Sequence, residues 1–312
     1  MFMKSRSTIT LHFFSATCLL FGLQTVDAIT GRIMDGDIAR IQETKHQVSM
    51  RLKKMDEPFG RGHICGGSAI SHKTILTAAH CLWGGYVLTI PRLLSPHEVS
   101  VVIGSTKRNN RSPPTLIFDI REMDFHRKYR SGTIQNDVGL LFLKGEIPFG
   151  HPTAQPIPIS SRPLQEGRNC RVSGWGRISP TGGLPNDLLI ITVRTLAPST
   201  CRARYSNLMF ASIRSGMFCA EGEANKDVCK GDSGGPLICD NEVVGIVSWG
   251  VDCGSEGHPG VYTDVYYYRD WISENSAHSI NLNFVYFKIA SLLSLLIVLN
   301  QWSYFNGETY LL

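Results

Sequence analysis

Three short stretches hold residue types that can do covalent chemistry together. Gly231-Asp232-Ser233-Gly234-Gly235-Pro236 presents one hydroxyl in a glycine-rich turn. Thr77-Ala78-Ala79-His80-Cys81 supplies an imidazole, and Asn136-Asp137-Val138-Gly139-Leu140-Leu141 a carboxylate. A serine hydroxyl is a weak nucleophile until an imidazole takes its proton. A carboxylate on the far ring nitrogen fixes the tautomer and stabilises the imidazolium that forms. Alone, each stretch reads blandly: a turn, a structural histidine beside a cysteine, an aspartate capping a turn. Read together, they offer a catalytic serine, its base and its orienting acid.

The elements that must position these groups are short strands. His46 to Met50, Ala69 to Ala78, Val99 to Gly104, Asp137 to Leu143, Leu189 to Leu196, Pro236 to Cys239 and Val243 to Trp249 are apolar runs separated by Gly, Pro, Asn and Ser. That pattern predicts an all-β sandwich or barrels rather than βαβ units. Val265 to Glu274 reads as a short amphipathic terminal helix. Loops are expected at Met55 to Arg61, Gly84 to His97, Thr106 to Pro114 and Ile178 to Asp187. Neither an internal repeat nor low complexity is evident.

With 312 residues and 43% apolar content, the chain can bury a substantial core in one large or two small domains. The net charge of +5 is too mild for a nucleic-acid binder. The basic stretch Arg121 to Arg130 reads as a solvated face or as the footprint of an acidic partner. Residues 1–28 read as a secretory signal: Lys4 and Arg6 start it, Leu19 to Leu23 are apolar, and Val26-Asp27-Ala28 offers a cleavage site after Ala28. Of nine cysteines, Cys18 would leave with the signal. The remaining eight suit an oxidising compartment, and spacing alone leaves roughly a hundred pairings open. No Cys-x-x-Cys pair suggests zinc. Asn110-Arg111-Ser112 is a glycosylation sequon.

The three motifs, their His, Asp, Ser order and the cysteine layout resemble the chymotrypsin/trypsin family of secreted serine endopeptidases, from Ile33 to about Ala277. The resemblance implies two packed six-stranded antiparallel β-barrels with the active site in the cleft between them. It makes His80 the general base, Asp137 the orienting acid and Ser233 the nucleophile of an acyl-enzyme. It makes the N–H groups of Gly231 and Ser233 the oxyanion hole, and Ser248 a second contact to the acid. It implies disulfides Cys65–Cys81, Cys170–Cys239, Cys201–Cys219 and Cys229–Cys253. No metal or other cofactor is expected, since Ser105 to Thr115 lacks the acids that bind calcium in many trypsins.

Arg32-Ile33-Met34-Asp35-Gly36 resembles the family's activation junction. Cutting after Arg32 would release the propeptide 29–32 and free the Ile33 ammonium to pair with Asp232. An unpartnered buried carboxylate is costly, so Asp232 is expected elsewhere before the cut. The family usually has Ile-Val-Gly-Gly here; Asp35 departs from it. Asp227 matches the aspartate at the base of the primary pocket in the trypsin branch. Gly250 and Gly260 match the glycines that keep it open, with Trp249 beside them. This implies cleavage after Arg or Lys. Lys230, Asp252 and the long loop Gly84 to His97 depart from digestive trypsins and suggest a selective protease.

The peptidase domain is thus placed at 33–278, followed by an extension, 279–312, without family counterpart. Its hydrophobic part, about 284–305, reaches 22 residues, near the length that spans a bilayer, but lacks a following basic cluster. The expected partners are protein or peptide substrates, an activating trypsin-like protease and proteinaceous inhibitors. No nucleic acid is expected; membrane contact would come through the tail. The product is expected to be secreted, or alternatively attached at the cell surface. The competing function is that of a catalytically inactive homologue acting as a binding or regulatory protein.

Overall fold

The computed structural model describes residues 36–84, 91–179, 182–208, 211–222, 227–251 and 257–277. Within them, strands close into two antiparallel rings. The first contains β1 (Gln47–Leu52), β2 (His63–Ala69), β3 (Thr74–Thr77), β4 (Val99–Ile103), β5 (Leu116–Phe125) and β6 (Gly139–Leu143). Its order is β1-β2-β3-β6-β5-β4, with β4 pairing back onto β1. The second contains β7 (Asn169–Gly174), β8 (Leu189–Thr195), β9 (Met217–Gly222), β10 (Pro236–Cys239), β11 (Glu242–Trp249) and β12 (Gly260–Asp264). Its order is β7-β8-β9-β12-β11-β10, with β10 pairing back onto β7. The two rings repeat one topology, although the sequence shows no repeat. Closure removes the open edges that would otherwise invite pairing with another chain.

The strands form where the pattern asks for them. In β8, Leu189, Ile191, Val193 and Thr195 point inward and alternate with more exposed residues. Strands β4 and β6 are buried throughout, and their runs of Val, Ile, Leu and Phe read accordingly. One core fills the first ring around Val48, Ile75, Val101 and Leu141; a second fills the other around Val172, Ile191, Leu237 and Val247. The rings are tied directly: the Ser173 hydroxyl donates to Gln47 Oε1 at 2.7 Å, and the Gly66 N–H donates to the Ser233 carbonyl at 2.8 Å.

Several boundaries differ from expectation. The run Ala69 to Ala78 breaks at a turn, leaving β2 to end at Ala69 and β3 to begin at Thr74. Strands β5, β7, β9 and β12, and β2 apart from Ala69, were not among the expected runs; in β5 only Ile120 is buried, so no apolar run marks it. The expected helix at Val265 to Glu274 begins later: residues 265–268 turn, and a helix covers 269–277. Asp264 accounts for the delay, since its Oδ1 accepts the N–H groups of Tyr266 and Tyr267 at 3.0 and 3.2 Å. Helix α1 (Pro198–Tyr205) was unforeseen. Only Cys201 and Tyr205 anchor it, too few to show a helical period. The expected loop Gly84 to His97 holds a small ribbon, Trp83–Gly84 against Arg92–Leu93, and a 3-10 turn, Pro96–Glu98.

Candidate active site

His80 lies on the 3-10 turn Ala79–Leu82 that follows β3. The Cys65–Cys81 disulfide fastens that turn to β2. Asp137 follows Asn136, whose φ of +57° turns the chain just before β6. Asn136 is held on both sides, donating to the Lys128 carbonyl at 2.8 Å and accepting the Tyr268 hydroxyl at 3.0 Å.

The Asp137 carboxylate is 1% exposed. Its Oδ1 accepts the His80 backbone N–H at 2.8 Å, and its Oδ2 lies 2.8 Å from His80 Nδ1. Ser248 donates its hydroxyl to the same Oδ2 at 2.6 Å. An ionised carboxylate accepts only, so the imidazole proton sits on Nδ1 and Nε2 is left as a base. Burial pulls the His80 pKa down, but the charge and hydrogen bond of Asp137 outweigh it, and the ring ends above its usual value. Ser248 can reach the acid because β11 carries a bulge. Val247 pairs with Tyr262 and Trp249 with Val261, leaving Ser248 as the extra residue. A bulge re-aims a side chain in this way.

Ser233 is half-buried in the loop before β10. Gly234 donates to the Val247 carbonyl at 2.7 Å, so the strand that sends Ser248 to the acid also holds the serine loop. Gly234 has φ +77°, and a Cβ there would lie 2.7 Å from the Gly66 carbonyl and 3.1 Å from Cys81 Sγ. The residue after the serine thus packs on the residue after the histidine, and no side chain fits between them. Gly231 has φ +108°. Its carbonyl is turned toward His63 Nε2 at 3.0 Å. The N–H groups of Gly231 and Ser233 have no acceptor among the described residues.

Asp232 turns the other way and is buried. It accepts the N–H groups of Gly176 at 2.7 Å and Cys229 at 2.9 Å. A Cβ at Gly174 or Gly176 would collide with its carboxylate. Burial raises its pKa to about 6. The intact chain therefore already holds Asp232 inside, where the expectation placed it elsewhere before cleavage. Two amide donors and a cradle without side chains make the inner position available to it.

A cavity of about 320 Å³ opens beside Ser233. Asp227 lies in its wall, 6% exposed, with Oδ1 accepting the Val228 N–H at 2.7 Å. Ser248, Trp249 and Gly250 line the cavity together with Lys230 and Gly260. A Cβ on Gly260 would lie 2.9 Å from Asp227 Oδ1, so glycine there leaves the carboxylate reachable. Trp249 is set edge-on against Tyr205, with ring centroids 5.0 Å apart.

Cysteines 65 and 81, 170 and 239, and 201 and 219 are paired as the resemblance implied. Cys229 is disulfide-bonded as well; Cys253 lies outside the described residues. Cys65, Cys81 and His80 bring potential ligand atoms within 4.8 Å of one another, but both sulfurs belong to one disulfide and neither is a thiolate. Asn110 is half-buried, its Oδ1 accepting the Ser112 N–H at 3.0 Å. Arg32, Ile33, Asp252, the signal segment and the tail 279–312 lie outside the described residues. Among the described residues no helix is long and apolar enough to cross a membrane.

Four contributors escaped the sequence reading. Thr263 donates to the Asp137 carbonyl at 2.9 Å. Gly174 and Gly176 cradle Asp232, and the Gly174-Trp175-Gly176 stretch was a signal that could have marked them. His63 stands behind Gly231, with nothing in its sequence surroundings to announce it.

Fold and site together define a double-barrel protein in which the segment carrying the acid-paired imidazole packs, through Cys81, on the glycine that follows the serine. The trypsin family model matches residues 33–272, and the chain belongs to that family of serine proteases. It is 34% identical over 248 residues to trypsin zeta of Drosophila erecta, covering 78% of this chain and 84% of that one. It is 33% identical over 249 residues to trypsin 5G1 of Aedes aegypti, covering 79% and 86%. The solved structure of neuropsin, a serine protease expressed in the limbic system of mouse brain, superposes with a TM-score of 0.66 at 29% identity. That match covers 78% of this chain and 99% of the other.

Proposed function

We propose that the chain is a serine endopeptidase, made as a secreted zymogen, cut after Arg32 and hydrolysing peptide bonds on the carboxyl side of Arg or Lys. The observation that carries this reading is the shared Asp137 Oδ2, bonded at once to His80 Nδ1 and to Ser248. That arrangement leaves His80 Nε2 as an oriented base beside the serine loop.

In the reaction, Ser233 Oγ attacks the scissile carbonyl carbon and passes its proton to His80 Nε2. Asp137 stabilises the imidazolium without taking the proton. The oxyanion accepts from the Gly231 and Ser233 N–H groups, which have no acceptor among the described residues to give up. His80 then protonates the departing amine, leaving an ester on Ser233. Water, deprotonated by His80, cleaves that ester through the same oxyanion and frees the carboxylate product. The buried Asp227 in the adjoining cavity supports Arg or Lys as the side chain before the cut, because a guanidinium or ammonium can meet a carboxylate there.

The zymogen reading rests on the Arg32-Ile33 junction and on the buried Asp232, a carboxylate suited to an incoming ammonium. Secretion rests on residues 1–28 and the disulfides, and glycosylation on the Asn110 sequon. Attachment at the cell surface through 284–305 rests on hydrophobic length alone. The test is cleavage after Arg32 followed by assay on short Arg, Lys and Phe amides. Turnover of the Arg and Lys amides, abolished by Ser233→Ala and lost with Asp227→Ser, is expected. A folded, correctly cut protein without turnover would identify an inactive binding homologue instead.

A further inference from the structure

We propose that the basic surface bordering the cleft selects peptides carrying acidic residues beside the cleaved Arg or Lys; this rests on the endopeptidase reading above. Two segments far apart in sequence build the surface. Residues 126–135 carry Arg127, Lys128 and Arg130 and no acid. Residues 188–220 carry Arg194, Arg202, Arg204 and Arg214, again with no Asp or Glu. Arg204 faces Glu221 at 3.9 Å. Arg127, Lys128, Arg130, Arg202 and Arg214 are exposed and have no carboxylate partner among the described residues.

Some other surface cations are paired: Arg162 and Arg168 share Asp240, and Arg171 meets Glu43. Others, such as Arg40, Arg61 and Lys230, are exposed without a carboxylate partner among the described residues. What sets this face apart is that two such guanidinium groups, Arg202 and Arg214, line one cavity.

Cavities connect the surface to the primary pocket. One of about 500 Å³ lies between the two segments, with Gln135 on one side and Arg202, Ile213, Arg214 and Phe218 on the other. A second, of about 340 Å³, takes Thr133 and Ile134 from the first segment, with Arg214 and Trp249 opposite. Arg214 belongs to both, and Trp249 is also a wall of the cavity that holds Asp227. Among the described residues no carboxylate lines either outer cavity. One polypeptide can therefore place Arg or Lys against Asp227, an apolar side chain between Ile134 and Trp249, and an acid against Arg214 and Arg202. Guanidinium groups grip carboxylates in a planar fork and supply direction as well as charge. The continuity with the primary pocket favours a peptide substrate over a detached polyanion.

The test uses the full chain cut after Arg32 and matched Arg peptides carrying Glu or Gln two to four places before or after the Arg, with a single-residue Arg amide as reference. Glu on one side of the Arg should raise kcat/KM about fivefold over Gln at low salt, and the ratio should shrink as salt is added. In Arg202→Gln/Arg214→Gln the ratio should return to about one. Failure to cleave the Arg amide would overturn the endopeptidase reading itself. Cleavage of the amide with equal rates on Glu and Gln peptides would overturn this inference alone. So would heparin binding that the double variant abolishes without any peptide preference, since that would assign the surface to a sulfated glycan.

Discussion

The Gly176 amide donates to Asp232 Oδ1 across 2.7 Å, inside a corner that only glycines can line. Burial raises the carboxyl pKa to about 6 against the pull of its two amide donors. Below the unfolded value near 4 the group is neutral in both states and costs nothing. As pH rises from there to about 6, the folded state holds a proton that the unfolded state has lost, so stability falls. At neutral pH this charge, which has no cation against it among the described residues, therefore destabilises the fold by about 3 kcal/mol. An ammonium delivered by cutting after Arg32 would offset that penalty. The cut chain should melt higher than the uncut chain near neutral pH, and the gap should close as pH falls below about 6. Scanning calorimetry on the Ser233→Ala protein, before and after cleavage, measures it without self-digestion. Equal melting temperatures near pH 7.5 would remove the Ile33–Asp232 pairing from the mechanism.

His80, Asp137 and Ser233 were legible because their chemistry restricts both residue type and order. Ser248 was legible by resemblance, but the bulge that aims it is a pairing between β11 and β12 that no local pattern announces. Gly174 and Gly176 drew no expectation from the sequence, because their task depends on a carboxylate from a distant loop. Helix α1 shows two buried positions in eight residues, below what periodicity can detect. The basic run Arg121 to Arg130 read as a solvated face or as the footprint of an acidic partner. The second alternative gains support because the fold sets the acid-free segment 188–220 across the cavities from its neighbours Thr133, Ile134 and Gln135.

The His80 ring is held above its ordinary 6.5, with burial opposing and Asp137 prevailing. The base must be neutral to accept the Ser233 proton, so kcat/KM should rise with pH through a midpoint above that value. Asp137→Asn removes the lifting charge and offers an amide donor to Nδ1, so the wrong tautomer is favoured. The midpoint should move to lower pH, and kcat should fall by ~10⁴. Rates on an Arg amide across pH 5 to 9 give both numbers, and an unmoved midpoint would show that another group titrates.

Gly260 has a narrower task. A Cβ would come within 2.9 Å of Asp227 Oδ1 and 3.3 Å of the Tyr262 ring, so either the carboxylate or the pocket wall must shift. Gly260→Ala should fold, because the new methyl faces the cavity that Gly260 lines. Its kcat/KM on Arg and Lys amides should fall by about two orders of magnitude, the penalty expected for a displacement of ~1 Å at a positioning group. Titration of the active serine with a small acylating reagent should stay within about twofold. Loss of that acylation too would mean that the change reaches beyond the pocket.

Arg51 is the largest of the fully buried side chains, and its only carboxylate partner among the described residues is Asp56, at 3.3 Å. Its Nε donates to Ser49 Oγ at 2.9 Å, and Ser49 Oγ lies 2.8 Å from His63 Nδ1. The Gly231 carbonyl can only accept, so His63 carries its proton on Nε2 and donates it there, and Nδ1 of the neutral ring accepts the Ser49 hydroxyl. Burial holds the His63 pKa down near 4, so the chain keeps this polarity at neutral pH. Asp56→Asn keeps an acceptor for the Gly60 and Gly62 amides but strands the Arg51 charge. It should destabilise by about 3 kcal/mol, whereas Arg51→Met with Asp56→Asn should recover at least half of that. Urea titrations of the three proteins decide it. The double variant should still lose kcat more than KM, because Ser49 no longer has a fixed donor and the Gly231 peptide loses its oriented support.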